Sequence, residues 1–428
     1  MKISRERLAD QLKAVIGADA LSLESETLAK HRVAGKPPAL VCLPHSAEQI
    51  AAAVRICAAA EASMVPWGGG TAMAIGNPPR RVDVVISTLR LNRIIDHDHA
   101  NLTVTVESGL ALGALQSALI AHRQFVPFEP PFAERSTVGG IVAANLNGPR
   151  RSSLGSVRDL VIGMKVVLGS GELIKAGGKV VKNVAGYDMC KLFTGSLGTL
   201  GILTEATLRL APFATESATS IACGTLARVA KLASELAGAK LLPAAVFLDN
   251  GAEEQNWRLA VRFDGFAATV ARQLTDLASL AQLQGIETET RRAESERQLW
   301  RAIADLPLQT ERLVYRMTLP PSSLADVLTT LEDSPIGAAP TVINADVAVG
   351  TLWIVMPANQ ASAGHFANLI SLARDHRGHV VMFAAPPEVQ LGVEVWGPAP
   401  MTISLMREIK QRFDPMGLLN PGRFVGGL

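Results

Sequence analysis

Apolar and polar positions alternate strictly over Leu102-Thr-Val-Thr-Val-Glu107, which predicts a strand with one dry face. Shorter apolar runs at 39–43 and 82–87 predict buried strands, and Ile202 to Leu210 sets Ile202, Thr204, Ala206, Leu208 and Leu210 on one side of another. Helical spacing covers Arg5 to Ile16 and Leu112 to His122. Ser46-Ala-Glu-Gln49 reads as a capping box that opens a helix to about Ala62: the Ser46 hydroxyl meets the first free N–H groups, and Gln49 reaches back. Met164 to Gly169 and Glu172 to Ala176, joined by Gly169-Ser170-Gly171, predict a hairpin. Asp188 to Thr194 predicts a short helix, while the prolines at 127, 130 and 131 exclude regular structure around them.

Beyond about residue 215 the units lengthen. Thr225 to Ala237, Ala267 to Gln284, Ala293 to Ala304 and Thr402 to Phe413 have helical spacing. Ala244 to Leu248, Trp257 to Phe263, Leu313 to Thr318, Thr341 to Val347 and Leu352 to Val355 read as strands. Two strands, a helix and a return strand recur around 218–265 and 312–355, which predicts a sheet with helices on one face, of the split β-α-β kind. The whole is an α+β protein.

Glycine-rich turns punctuate this pattern. Pro66-Trp-Gly-Gly-Gly-Thr71 follows the apolar Met64-Val65, and three more lie within seventy residues: Ser136-Thr-Val-Gly-Gly140, Gly155-Ser-Val157 and Gly195-Ser-Leu-Gly-Thr-Leu-Gly201. Glycine tolerates positive φ and lets backbone N–H groups converge on an anion with no Cβ in the way. A helix over Thr137 to Asn145 would start its N–H groups under a phosphate or a ring carbonyl. Successive turns of this kind point to one extended ligand, a dinucleotide.

A chain of 428 residues, 48% of them hydrophobic, is long enough for two or three domains and needs no covalent staples. Cys42, Cys57, Cys190 and Cys223 contain no C-x-x-C spacing, so they read as buried thiols rather than disulfides or metal ligands. The 41 basic residues balance 39 acidic ones and only two tyrosines are available for stacking, which gives no sign of a nucleic-acid surface. The polar start Met-Lys-Ile-Ser-Arg-Glu-Arg lacks a secretory signal, and charges such as Arg55 break every long apolar run. A cytoplasmic protein is expected, any membrane attachment coming through partner chains.

Taken with Lys182-Asn-Val-Ala-Gly-Tyr-Asp188 and the closing Asp414-Pro to Asn420-Pro-Gly422, the glycine turns resemble, in order and spacing, the FAD-linked oxidases of the vanillyl-alcohol oxidase and PCMH superfamily. Within it, Gly148-Pro-Arg-Arg151 and Lys182 to Ile202 are most similar to the FAD-binding E subunits of glycolate oxidases. The resemblance implies a PCMH-type FAD-binding domain over 1–215, with its core at about 38–213. A ferredoxin-like α+β cap would follow over 216–400, and a segment over 401–428 would return to the first domain. It implies FAD held by backbone N–H groups of Pro66, Trp67, Gly68, Gly69, Gly70, Thr71 and Ala72, with Ser136, Thr137, Val138, Gly139 and Gly140 beside the flavin and phosphates. Gly155, Ser156 and Val157, with Gly198, Gly201 and Ile202, would line the adenosine and ribityl end, and Asn420 and Gly422 would reach the flavin edge. The attachment would be non-covalent, since the first loop has Trp67 in place of a histidine and no cysteine lies in the glycine turns. The implied function is oxidation of a small 2-hydroxy acid, glycolate to glyoxylate. This chain would be a FAD subunit beside a catalytic FAD-linked D subunit and an iron–sulfur F subunit.

Relatives that oxidise D-2-hydroxy acids carry a cap metal site, with a His-rich Gly-Asp-Gly-Asn motif and a later Glu-His-Gly. Neither motif is present; the nearest approach is Asp375-His-Arg-Gly-His379. No catalytic residue or metal ligand is assigned, and the chain would relay electrons from its partner. The alternatives are a self-sufficient dehydrogenase whose cap supplies Arg312 or Arg316 for a carboxylate, and a scaffold without cofactor. Several residues keep two readings. Tyr187-Asp188 either presents a phenol to the flavin or forms a loop with Asp188 as N-cap; Arg150-Arg151 meets a phosphate or a partner's acidic patch, or is solvated. Lys182 either tunes the flavin or is a surface lysine, and Asp96-His-Asp-His99 is either a ligand cluster or a polar loop between strands. Leu197, where relatives have glutamate, removes a polar group from the cofactor side.

Overall fold

The computed structural model describes residues 4–178, 187–251, 257–309, 311–333, 341–360 and 362–428. Its contacts divide the chain into two units, the first built from residues up to Asn147, Ser156–Pro212 and Gln390–Leu428, the second from Gly148–Gly155 and Phe213–Val389. This division assigns the short 148–155 segment to the second unit and 390–400 to the first.

In the first unit the helix Arg5–Ile16 begins where Ser4 Oγ accepts from Arg7 N, and it buries Leu8, Leu12 and Ile16. It packs on the helix Ala47–Ala59, where Ser46 Oγ accepts from Gln49 N at 3.2 Å. Gln49 does reach back, one residue further than a capping box requires, its Oε1 accepting from His45 N at 2.7 Å. These helices cover a four-stranded sheet ordered Leu21–Ser22, Leu40–Cys42, Val84–Ser87 and Met64–Trp67, the last three strands parallel. The strand Met64–Trp67 therefore ends at Gly68 and delivers the first glycine turn.

A second sheet, all antiparallel, orders Ile94–Asp98, Thr103–Glu107, Ile202–Arg209, Val161–Val167 and Leu173–Gly177, the last two forming the expected hairpin. Thr103–Glu107 is buried on both faces, not on one. It lies inside the sheet, its polar residues satisfied where they stand: Thr105 Oγ1 meets Thr207 Oγ1 at 3.0 Å, and Glu107 pairs with Arg93 at 2.8 Å. His97 belongs to a strand rather than a loop, its Nε2 3.0 Å from Gln124 Oε1 and its ring packed against His122.

The second unit holds one eight-stranded sheet. Its order is Thr288–Arg291, Glu216–Gly224, Trp257–Gly265, Ala245–Asp249, Val342–Asp346, Thr351–Pro357, Arg312–Thr318 and His379–Ala384, every neighbouring pair antiparallel. The halves fuse where Phe247 pairs with Asp346 and Asp249 with Asn344. Helices Leu226–Gly238 and Ala267–Leu283 bury Val229, Leu232, Val270 and Leu277 against it. Cys223 is exposed, contrary to expectation, because Thr288–Arg291 pairs with its strand only as far as Ala222. Among the described residues no helix is long and apolar enough to cross a membrane.

Candidate functional site

A groove lies in the first unit, lined by three separate stretches of the chain. One wall is the turn after Met64–Trp67: Pro66, Trp67, Gly68, Gly69, Gly70, Thr71 and Ala72 all line it. Its glycines are first a packing requirement. A Cβ on Gly69 would stand 1.9 Å from Arg135 O and one on Gly68 2.2 Å from Thr137 Oγ1, so the turn lies flat on the segment before the next helix. That close approach leaves the N–H groups of Gly68 to Ala72 without an acceptor among the described residues. Consecutive unengaged backbone donors form an anion-binding concavity.

The second wall is the helix Val138–Ala144, which turns Gly139, Gly140, Ala143 and Ala144 to the groove. Its first N–H groups are not free for a phosphate as the sequence suggested. Val138 N donates to Leu110 O at 2.9 Å, Gly139 N to Ser108 O at 2.7 Å and Gly140 N to Thr137 Oγ1 at 3.3 Å. The helix contributes a smooth flank. Ser136, Thr137 and Val138 stand behind it: Ser136 Oγ lies 2.8 Å from Thr71 Oγ1, Thr137 caps the helix and Val138 is core.

The third wall combines Leu197, Gly198, Gly201, Ile202 and Leu203 with Asn420 and Arg423 from the C-terminal segment. Leu197 sits at φ +52° and is held by Asn420, whose Nδ2 donates to Leu197 O at 2.6 Å. Gly422 does not line the groove; its φ of +90° turns the chain past Arg80. Beneath this wall Lys410 Nζ donates to Thr199 O at 2.7 Å, Leu419 O at 2.9 Å and Asp414 Oδ2 at 2.6 Å. Asp414 in turn accepts from Leu418 N and Leu419 N, and Asn420 N donates to Met64 O. Burial pushes the Lys410 ammonium down, against the opposing pull of Asp414.

Two buried polar atoms of this wall have no partner among the described residues, Asn420 Oδ1 and Arg423 Nε. Among the described residues Arg423 is the only charged side chain lining the groove. Its Nη2 donates to Met73 O at 3.1 Å and to Ile75 O, and burial pushes it down to about 10. Sequence reasoning missed Arg423, although its place directly after Asn420-Pro-Gly422 was a usable signal. It also missed Met73, Thr88, Ala143, Ala144 and Leu203, which carry no chemistry that would single them out.

The remaining candidates lie elsewhere. Ser156 and Asp159 cap a short helix with their side chains 2.6 Å apart, Val157 is buried with its N–H on Asn147 Oδ1, and Gly155 belongs to the second unit; none of Gly155, Ser156 and Val157 lines the groove. Tyr187 is 94% exposed, and Asp188 occupies an N-cap position without a side-chain cap bond. Lys182 and most of its motif lie outside the described residues. Arg150 is not a solvated loop residue, since it pairs with Asp264 at 2.9 Å, whereas Arg151 is exposed. His376 ends the helix Ala363–Asp375 and His379 begins a strand; among the described residues no three His, Cys, Asp or Glu side chains are grouped to hold a metal ion.

Comparison with known proteins places the groove in context. Residues 38–177 match the family described as "FAD binding domain", and 398–424 match "FAD linked oxidases, C-terminal domain". The chain is 30% identical to "Glycolate oxidase subunit GlcE" of Escherichia coli (strain K12), over 78% of this chain and 85% of that one. It is 29% identical to "Glycolate oxidase subunit GlcD" of Bacillus subtilis (strain 168), over 90% and 88%. Among solved structures an alkyldihydroxyacetonephosphate synthase shares the fold at a TM-score of 0.76 and 17% identity, over 98% of this chain and 85% of that one.

Proposed function

Because the chain belongs to the FAD-linked oxidases with a PCMH-type FAD-binding domain, we propose that it is the FAD-carrying subunit of a complex oxidising a small 2-hydroxy acid such as glycolate. The family is one of FAD-dependent oxidoreductases. One observation carries it: the unengaged N–H groups of Gly68 to Ala72 and the unpartnered Asn420 Oδ1 and Arg423 Nε line one groove with small-residue walls. These residues fit a dinucleotide. Gly68 to Ala72 would hold its pyrophosphate, Gly139 to Ala144 would allow flat contact, and Arg423 would meet negative charge that no carboxylate among the described residues of the groove offsets. FAD supplies two-electron acceptance from a carbon–hydrogen bond. The chain binds and orients it, and leaves no thiol or imidazole on the groove wall for covalent attachment.

Support for a subunit role comes from similarity to two different glycolate oxidase subunits. The proposed partners are a FAD-linked D subunit that oxidises the acid and an iron–sulfur F subunit. The test is co-expression followed by purification through this chain: a yellow complex of three subunits that reduces an artificial acceptor with glycolate is expected. A yellow chain that purifies alone and turns over glycolate at the full rate would overturn the relay role.

A further inference from the structure

The turn that forms the first wall of the groove runs on into residues 73–77, and this loop is held from two other places in the first unit. Arg423 Nη2 donates to Met73 O and Ile75 O, and the buried Gln390 donates from Nε2 to Ala74 O at 2.9 Å. The loop ends at Asn77, which is 8% exposed. Its backbone N–H donates to Arg423 O at 3.0 Å. Its Oδ1 accepts from Val395 N at 3.0 Å, and its Nδ2 donates to Glu394 Oε1 at 2.9 Å and to Phe424 O at 3.4 Å. One residue thus fastens three segments of the first unit, 73–77, 390–396 and 420–424, to one another.

Arg423 is the residue these bonds surround. Its carbonyl takes two donors, Asn77 N and Trp396 Nε1, both at 3.0 Å, and the Trp396 ring packs on Phe424 at 5.4 Å. Gly76, at φ +85°, lies so close that a Cβ would stand 2.6 Å from the same carbonyl. With the carbonyl fixed on one side and Nη2 fixed on Met73 O and Ile75 O, the guanidinium has one place to stand, with Nε left unpartnered among the described residues. Asn77, Glu394 and Val395 line no part of the groove. The segment that supplies Glu394, Val395 and Trp396 is the first stretch of chain after the second unit ends at Val389.

We propose that Asn77 is a positioning residue for the cofactor, setting through Glu394 and the Arg423 carbonyl where the buried guanidinium meets the nucleotide's negative charge. The role rests on the FAD reading above. An amide is required at this position because the side chain must accept from Val395 N and donate to Glu394 at once, which neither a carboxylate nor an alkyl group does. The chain returning from the second unit is therefore part of the support of the cofactor groove.

The test is fluorescence titration of the flavin-free chain with FAD, melting curves being recorded alongside, over a set of variants. Glu394→Gln should change FAD affinity less than threefold, since its side-chain oxygen still accepts from Asn77. Asn77→Asp sets two carboxylates against each other and should weaken FAD at least tenfold. Combining Asn77→Asp with Glu394→Gln should recover most of that loss, the amide now donating from position 394 to the carboxylate at position 77; a misfolded variant cannot give this rescue. Arg423→Met should weaken FAD in the unaltered chain but add little in the Asn77→Asp background, because residues that act through one another are non-additive. Wild-type affinity in Asn77→Asp, no rescue by Glu394→Gln, or additive losses from Asn77→Asp and Arg423→Met would overturn the role. An unaltered chain that takes up no FAD would instead sink the flavin reading, and this role with it.

Discussion

Lys410 Nζ lies 2.6 Å from Asp414 Oδ2, one helical turn away, and both side chains are buried under the wall of the groove. The pair is the junction at which Thr199, Leu418 and Leu419 are tied together, so it fixes Leu197 and Asn420 without touching the groove. Replacing Lys410 with Met leaves Asp414 buried and uncompensated. A loss of about 3 kcal/mol in stability is expected, with at least tenfold weaker FAD binding, read by thermal unfolding and by flavin fluorescence titration. Unchanged flavin affinity in a destabilised protein would show that the junction does not set the groove.

Gly69 and Gly140 line the same groove for different reasons. The methyl of Gly69→Ala would meet backbone at Arg135 O, which can move only with its whole segment, while that of Gly140→Ala meets only Thr137 Oγ1 at 3.2 Å. Gly69→Ala should destabilise even the flavin-free protein by about 1–3 kcal/mol, whereas Gly140→Ala should leave its melting temperature nearly unchanged. Melting curves of both apoproteins decide.

Trp67 stands on the groove wall, and among the described residues no cysteine or histidine lines it. Precipitation with acid should therefore release FAD into the supernatant and leave a white pellet. A yellow pellet would show a covalent bond.

Asp346 gives a pH signature opposite to that of a salt-bridged carboxylate. Its folded pKa is about 7 against 3.8 unfolded, so between these values the folded chain holds a proton the unfolded chain has lost. Low pH then favours folding, and the contribution falls as pH rises from about 4 to 7, by up to about 4 kcal/mol. Asp346→Asn keeps an oxygen for Ala348 N and removes the titration. Its advantage over the unaltered chain should grow from pH 5 to pH 8 in chemical denaturation; a constant difference would disprove the shift.

The parts of the groove legible in the sequence were those with a backbone reason to be what they are. Glycine at 68, 69, 139 and 201 is demanded by contacts under 3 Å to a would-be Cβ, and such positions cluster visibly along a chain. What could not be read was which side each element turns. Val138 to Gly140 suggested free donors, but the strand turn at Ser108 and Leu110 occupies two of them, a tertiary event with no local trace. Arg423 carried only the signal of its place after Asn420-Pro-Gly422; that Met73 and Ile75 surround its guanidinium is again a tertiary event. In the second unit the strands were legible from their apolar runs. Their order in the sheet was not, because it depends on a pairing between Ala245–Asp249 and Val342–Asp346, nearly a hundred residues apart.

The bridge from Met64 to Leu419 also imposes an order on biosynthesis. Every residue of the second unit is translated before the segment that closes the groove, so a nascent chain halted anywhere short of Leu419 lacks that wall. Cofactor capture becomes one of the last events in maturation, and a ribosome stalled inside 213–389 releases a product unable to retain its flavin.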